Sequence, residues 1–220
     1  MKTLSKSTQR GYSLIELSIA LAIVGVVIAG SIVGVQAILQ SNNVNKTIRQ
    51  TNTAVNKIIA KLVRDRDYTN ATTTNLSAKG QEVWEPTDIK DGGKDEREVT
   101  HPLASFIFVN GLSVSGAGQT YQNLTDKQGF IYTVTGVPSS ACTDLAVGLE
   151  GLATAMSIQN KPAIAATATG PATLITANLV KTTALSFDSK KANQYCSGIS
   201  GAAGTTIEDV AEISFLVPRR

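Results

Sequence analysis

Histidine, cysteine and aromatic residues are scarce in this chain of 220 residues, which has one His, two Cys, one Trp and 5% aromatics in all. So few imidazoles and thiols cannot build most zinc or iron–sulfur sites, and no metal or other cofactor is expected. Charge is also thin, at 17%, while 42% of residues are hydrophobic, so the body is neither disordered nor heavily solvated. The formal net charge of +3 has a local origin. Lys2, Lys6 and Arg10 supply all of it, in a ten-residue stretch without an acid. From Gly11 onward 17 basic residues face 17 acidic ones, so the body lacks the basic excess that nucleic-acid binding requires, and no nucleic-acid partner is expected. Proline is absent before Pro86, and no charge falls between Leu17 and Leu39.

That uncharged run is the most informative segment. It covers 23 residues, with only Ser18, Ser31 and Gln36 clearly polar. As a helix it measures about 34 Å, enough for a hydrocarbon core of about 30 Å. It lacks the polar stripe of a helix packed on a soluble core. A secretory signal peptide is one reading, with Val35-Gln36-Ala37 as its small-x-small cleavage site. The stretch is too long for that, and Glu16 stands at its start. A plain signal anchor explains the length and leaves Glu16 unexplained, although an ionisable residue at the edge of a membrane span is a functional candidate by default.

Gly11-Tyr12-Ser13-Leu14-Ile15-Glu16-Leu17, preceded by a short basic leader and followed by the apolar run, resembles the class III leader of type IV pilins and of secretion pseudopilins. Tyr12 stands where Phe is usual. The resemblance implies cleavage by a prepilin peptidase after Gly11, N-methylation of Tyr12, and retention of the apolar stretch in the product. It also implies assembly into a filament, with Glu16 guiding each new subunit. The physical role for Glu16 is pairing: cleavage creates a cationic amine at Tyr12, and two charges in a bilayer offset part of each other's cost. A straight helix cannot easily fold its own terminus back to Glu16, so the partner is a neighbouring subunit's amine; a carboxylate merely snorkelling to the interface is the alternative. Gly25, Gly30 and Gly34 punctuate the run, and Gly30–Gly34 is a small-xxx-small pair of the kind that lets membrane helices approach. The Pro that many family members carry here is missing, so no Pro kink is expected.

Beyond the run, Val44, Ile48, Val55, Ile58, Ile59 and Leu62 recur at helical spacing, with Lys46, Arg49, Lys57, Lys61 and Arg64 between them. The pattern predicts one helix over about residues 13–67, roughly 80 Å long. Its first half is a membrane stalk and its second half is amphipathic. The expected fold is α+β and pilin-like: this long N-terminal helix packed on a head built around an antiparallel sheet. The expected divisions are a leader at 1–11, the transmembrane and polymerisation half at 12–40, the amphipathic half at 41–68 and the head at 69–220.

In the head, residues 70–79 read as a loop, and residues 82–98, with ten charges of which seven are acidic, read as a solvated loop without the Asp series of an EF-hand. Calcium binding there stays open, because some pseudopilins bind calcium in a loop. Strands are predicted at 106–109 with 112–114, 130–134, 173–180, 185–187 and 213–217. Ser139 or Ser140 caps a predicted helix with Leu145, Leu149, Leu152 and Met156 along one face; residues 163–173 read as a loop. Cys142 and Cys196, in an exported body, read as a disulfide, with two separate buried thiols as the alternative. A disulfide enclosing so long a loop resembles the type IVb pilins, although the 11-residue leader is shorter than theirs.

No catalytic constellation is visible. His101 precedes Pro102 and reads as a loop residue, and Gly111-x4-Gly116 lacks the Lys-Ser/Thr of a nucleotide-binding loop. The chain is therefore expected to be a structural subunit rather than an enzyme, with assembly driven by a separate ATPase and platform. The resemblance implies a precursor in the inner membrane, with its N-terminus in the cytoplasm, and a product in a pilus on the cell surface. The filament would serve adhesion, aggregation, motility or DNA transfer. The alternatives are a pseudopilin of a type II secretion system and a monomeric membrane-anchored binding domain.

Overall fold

The computed structural model describes residues 13–63, 68, 70–78, 81–91, 97–103, 105–112, 124, 128–160, 174, 178–198 and 210–219. The chain divides into two units, Met1–Gln40 and Ser41–Arg220. A single helix, α1 (Leu14–Leu62), runs from the first into the second. Its start is set at Ser13, whose carbonyl accepts from the amides of Glu16 and Leu17. Glu16 in the first turn and Lys61 in the last both suit the helix dipole. The helix ends five residues short of the expected boundary, with Val63 in a turn and residues 64–67 outside the described set.

The second unit is built on a seven-stranded antiparallel sheet. Its strands are β1 (Ile89–Asp91), β2 (Arg97–His101), β3 (Ser105–Gly111), β4 (Gly129–Pro138), β5 (Ala155–Asn160), β6 (Leu179–Lys181) and β7 (Val210–Pro218), in the order β1-β2-β3-β4-β7-β5-β6. The C-terminal strand β7 is therefore inserted between β4 and β5, with Phe130 opposite Val217 and Ile158 opposite Ile213. One face of the sheet, carrying Phe130, Tyr132, Val134, Met156, Ile158, Ile213 and Phe215, shares a core with Val44, Ala54, Val55, Ile58 and Leu62 of α1. Strand alternation and helix periodicity thus meet on one apolar surface. Tyr132 stacks on Phe215 at 5.3 Å and Tyr68 on Phe130 at 5.8 Å. Ile48 and Ile59, expected on the same helix face, are only partly buried, and Thr47 and Thr51 take places in the seam.

Three α-helices, α2 (Thr73–Ser77), α3 (Ser139–Leu149) and α4 (Ser189–Cys196), and two 3₁₀ turns, Pro86–Asp88 and Glu150–Leu152, complete the described elements. Several expectations need correcting. The stretch 70–79 contains α2, because Thr72 caps it by accepting from the Asn75 amide at 3.3 Å. The charged stretch 82–98 is not simply a loop, since β1 and β2 form a hairpin across it, with Lys90 opposite Glu98. Ser139 and Ser140 lie inside α3 rather than at its cap, which is Pro138 without a side-chain bond. Leu152 and Met156 do not continue that helix. Leu152 closes a 3₁₀ turn, and Met156 belongs to β5, where pairing with β7 supplies the backbone partners a helix would have supplied. Residues 185–187 are not a strand; they form the descent from β6 to α4, with Asp188 capping α4 by accepting from the Lys191 amide. Of the predicted 173–180 strand only the end survives, as β6; Leu174 and Asn178 are described but lie in no strand, and 173 and 175–177 lie outside the described residues, as do 113–114 and 163–172.

Candidate functional site

Glu16 occupies the first turn of α1 and is exposed. Fourteen large apolar side chains between Leu14 and Leu39 are exposed as well. Soluble monomers rarely present contiguous apolar patches beyond a few hundred Å², so a surface of this extent calls for lipid or protein around it. This helix is long and apolar enough to cross a membrane. Its few hydroxyls are already satisfied locally: Ser18 Oγ donates to the Ile15 carbonyl at 2.8 Å and Ser31 Oγ to the Val27 carbonyl at 2.7 Å. Such back-bonding lets a serine enter an apolar medium without a lost hydrogen bond.

Gly25, Gly30 and Gly34 separate two uses of a helical glycine. A Cβ added at any of them would meet nothing within 4 Å, so none is required by packing inside the chain. Gly148 on α3 is the opposite case, since a Cβ there would run into the side chain of Ile48 on α1. The glycines of the apolar run have a packing use only against something outside the chain.

In the second unit, Cys142 on α3 and Cys196 at the end of α4 form a disulfide with their Cα atoms 5.7 Å apart. Both are buried, so the bond joins two helices from beneath rather than tying a surface loop. His101, expected in a loop, is buried at the end of β2. Its Nε2–H donates to the Thr135 carbonyl at 2.9 Å, and its Nδ1 accepts from the Leu103 amide at 3.3 Å. Burial holds its pKa down at about 4. A neutral ring with both nitrogens engaged is a strut under the β2–β3 turn. Thr135 can offer that carbonyl because the β4–β7 register shifts between Val134 and Val137, where Gly136 adopts φ of 60°.

Gly11 and Tyr12 lie outside the described residues, so the structure places Glu16, Gly30 and Gly34 on one helix and the cysteines in the head, and does not place the cleavage point. Residues 6–32 match the sequence family described as the prokaryotic N-terminal methylation motif. The chain carries that motif. Gly11, Tyr12, Glu16, Gly25 and Gly30 fall within it, whereas Gly34 and the disulfide do not. No curated protein matches the chain by sequence. Among solved structures, a type IV pilin of Vibrio cholerae El Tor biotype, TcpA, is similar at TM-score 0.48 and 11% identity, over 80% of this chain and 98% of that one. A type IVb pilin from Salmonella typhi is similar at TM-score 0.46 and 17% identity, over 78% and 97% respectively. What sequence reading missed is the seam between α1 and the sheet, where Thr47 and Thr51 of α1 are buried, which only packing distinguishes from an ordinary solvated face.

Proposed function

We propose that this chain is a structural subunit of a type IV pilus-like surface filament. The precursor sits in the inner membrane through the first half of α1, with the basic leader in the cytoplasm and the head outside. A prepilin peptidase removes residues 1–11 and methylates the new amine of Tyr12. An assembly platform and its ATPase then transfer the subunit from bilayer to filament, where residues 12–40 polymerise, 41–68 anchor the head and 69–220 form the surface.

The observation that carries this reading is the junction of a methylation motif with an exposed, uncharged helix whose glycines serve no contact inside the chain. In a filament the same apolar surface leaves lipid for neighbouring helices of equal polarity, so little hydrophobic free energy changes on transfer. Van der Waals fit at Gly30 and Gly34 and the pairing of Glu16 with a neighbour's Tyr12 amine then decide the docking register. The disulfide suits the oxidising side of the membrane, where the head would reside.

Intact mass and N-terminal analysis of non-reduced protein from sheared surface material tests the reading. The expected product begins at methylated Tyr12 and retains the disulfide. A product beginning at Ile38 would mean that the apolar run was a signal peptide, and the filament reading would be wrong.

A further inference from the structure

The two cysteines of the disulfide are 0% and 2% exposed, and the sheet decides what covers them. Cys142 is the fourth residue after Pro138, where β4 ends. Cys196 closes α4, and its carbonyl accepts from Asn160 Nδ2, at the end of β5, at 3.5 Å. The strand that fills the space between those two strand ends is β7, at its first residues: Val210 is opposite Pro138, and Ala211 is opposite both Val137 and Asn160. Ala211 and Ile213 are fully buried in the same apolar cluster as both cysteines, and α3 and α4 each pack against β7. The bond is thus enclosed by the two helices and by the start of β7. On the outside, the concavity between α3 and α4 is lined by Thr143, Ser189, Lys190, Asn193, Gln194 and Ser197, and by neither cysteine.

That same end of β7 is the more weakly held one. Six continuous pairs join Gly129–Val134 of β4 to Ile213–Pro218, and then the register shifts before Val137 meets Ala211 and Pro138 meets Val210. The last two pairs therefore lie beyond a bulge, and Pro138 has no N–H to donate. Partners in this ladder are also far apart in the chain: Thr133 and Ser214, whose hydroxyls bond at 3.0 Å, are separated by 81 residues. Pairings over such distances form after local ones, and strand ends past an irregularity open before the core does.

We propose that the start of β7, Val210–Ile213, is the seal over the disulfide: the bond exchanges with external thiols only when these residues lift from β4 and β5. Exchange requires a thiolate in contact with sulfur, and burial denies that contact while the strand is docked. The C-terminal strand thereby turns an exchangeable bond into a permanent one. Any reshuffling of Cys142 and Cys196 by a thiol–disulfide partner precedes its docking.

The test uses the full-length chain in detergent micelles, with dithiothreitol and increasing urea below the unfolding transition. A dithiothreitol thiolate bonds to one Sγ and the other leaves as a thiolate. The reagent's second thiolate then releases the first, so the reagent becomes a cyclic disulfide as both cysteines are reduced. The freed thiols are alkylated and counted by mass spectrometry. The reduction rate is expected to rise only weakly with urea, because lifting one strand end exposes little surface. Ala211→Gly removes a buried methyl group and loosens the backbone beside the bond, and should raise the rate about tenfold. Ala155→Gly makes the same change at a fully buried alanine at the far end of β5, opposite Leu216, and should leave the rate unchanged. Equal acceleration by both variants, or a urea dependence as steep as that of unfolding, would mean that the head must unfold as a whole, and would overturn the proposal. No acceleration by either would mean that thiols reach the sulfurs with β7 in place, which overturns it equally.

Discussion

Gly129 opens β4 at a point where no side chain fits. A Cβ there would stand 2.6 Å from the Val217 carbonyl oxygen, which belongs to the neighbouring strand and cannot rotate away. Gly129→Ala is expected to destabilise the head by about 1–3 kcal/mol, the usual cost of overpacking, measured as a lower thermal midpoint. His101 makes a second prediction, in pH. Its folded pKa of about 4 lies below the ordinary 6.5, so the unfolded chain takes up a proton before the folded one does. Its contribution is intact above pH 6.5 and is lost as pH falls from there toward 4, a loss of about 3 kcal/mol at most. Comparing the wild-type chain with His101→Gln isolates this from the carboxylates: the variant should show a shallower fall in stability across that window. Neither position was legible in the sequence. A glycine before Phe130 and a histidine before Pro102 both look like loop residues until the strands that crowd them are in place.

At the scale of elements, the disulfide couples α3 to α4 across 54 residues. Closing a loop of that length is worth about 4 kcal/mol in the chain-entropy account. Replacing both cysteines by Ser is expected to lower head stability by about 2–5 kcal/mol, read by denaturant titration under non-reducing conditions. Insertion of α1 in the membrane should be unaffected, because its apolar half makes no use of the bond. The elements that sequence reading found are those with strong local periodicity: α1, and the apolar cores of β3, β4 and β7. Those it missed are short or misleading in composition. β1 is charged as the sheet's edge strand, and β2, paired with it, sets Glu98 opposite Lys90. β5 follows Leu145, Leu149 and Leu152 at spacings that a helix would also satisfy, and only the pairing of Met156 with Phe215 decides for strand.

For the molecule as a whole, the predictions concern processing and assembly. Gly11→Ser should leave the full precursor, heavier by the leader, in the membrane fraction. Glu16→Val should leave cleavage intact while surface filament falls to a small fraction of wild type, measured by immunoblot of sheared material. The second variant removes only a charge from an exposed first turn, so the head should fold normally. A monomeric anchored domain would show no loss. Gly30→Leu separates packing from charge: a side chain there meets nothing inside the chain, so any assembly defect reports contacts between subunits.

The amino-acid order by itself determined the apolar half of α1, because a helical segment whose described side chains are exposed has only its own periodicity, hydropathy and motif to obey. It also indicated the amphipathic continuation and the cysteine pair. Tertiary structure alone decided the head: that the C-terminal strand enters between β4 and β5, that an acidic stretch becomes a hairpin, and that a histidine becomes a strut. Strand order joins residues far apart in the chain, and local preference is silent about which distant partner completes the hydrogen bonds.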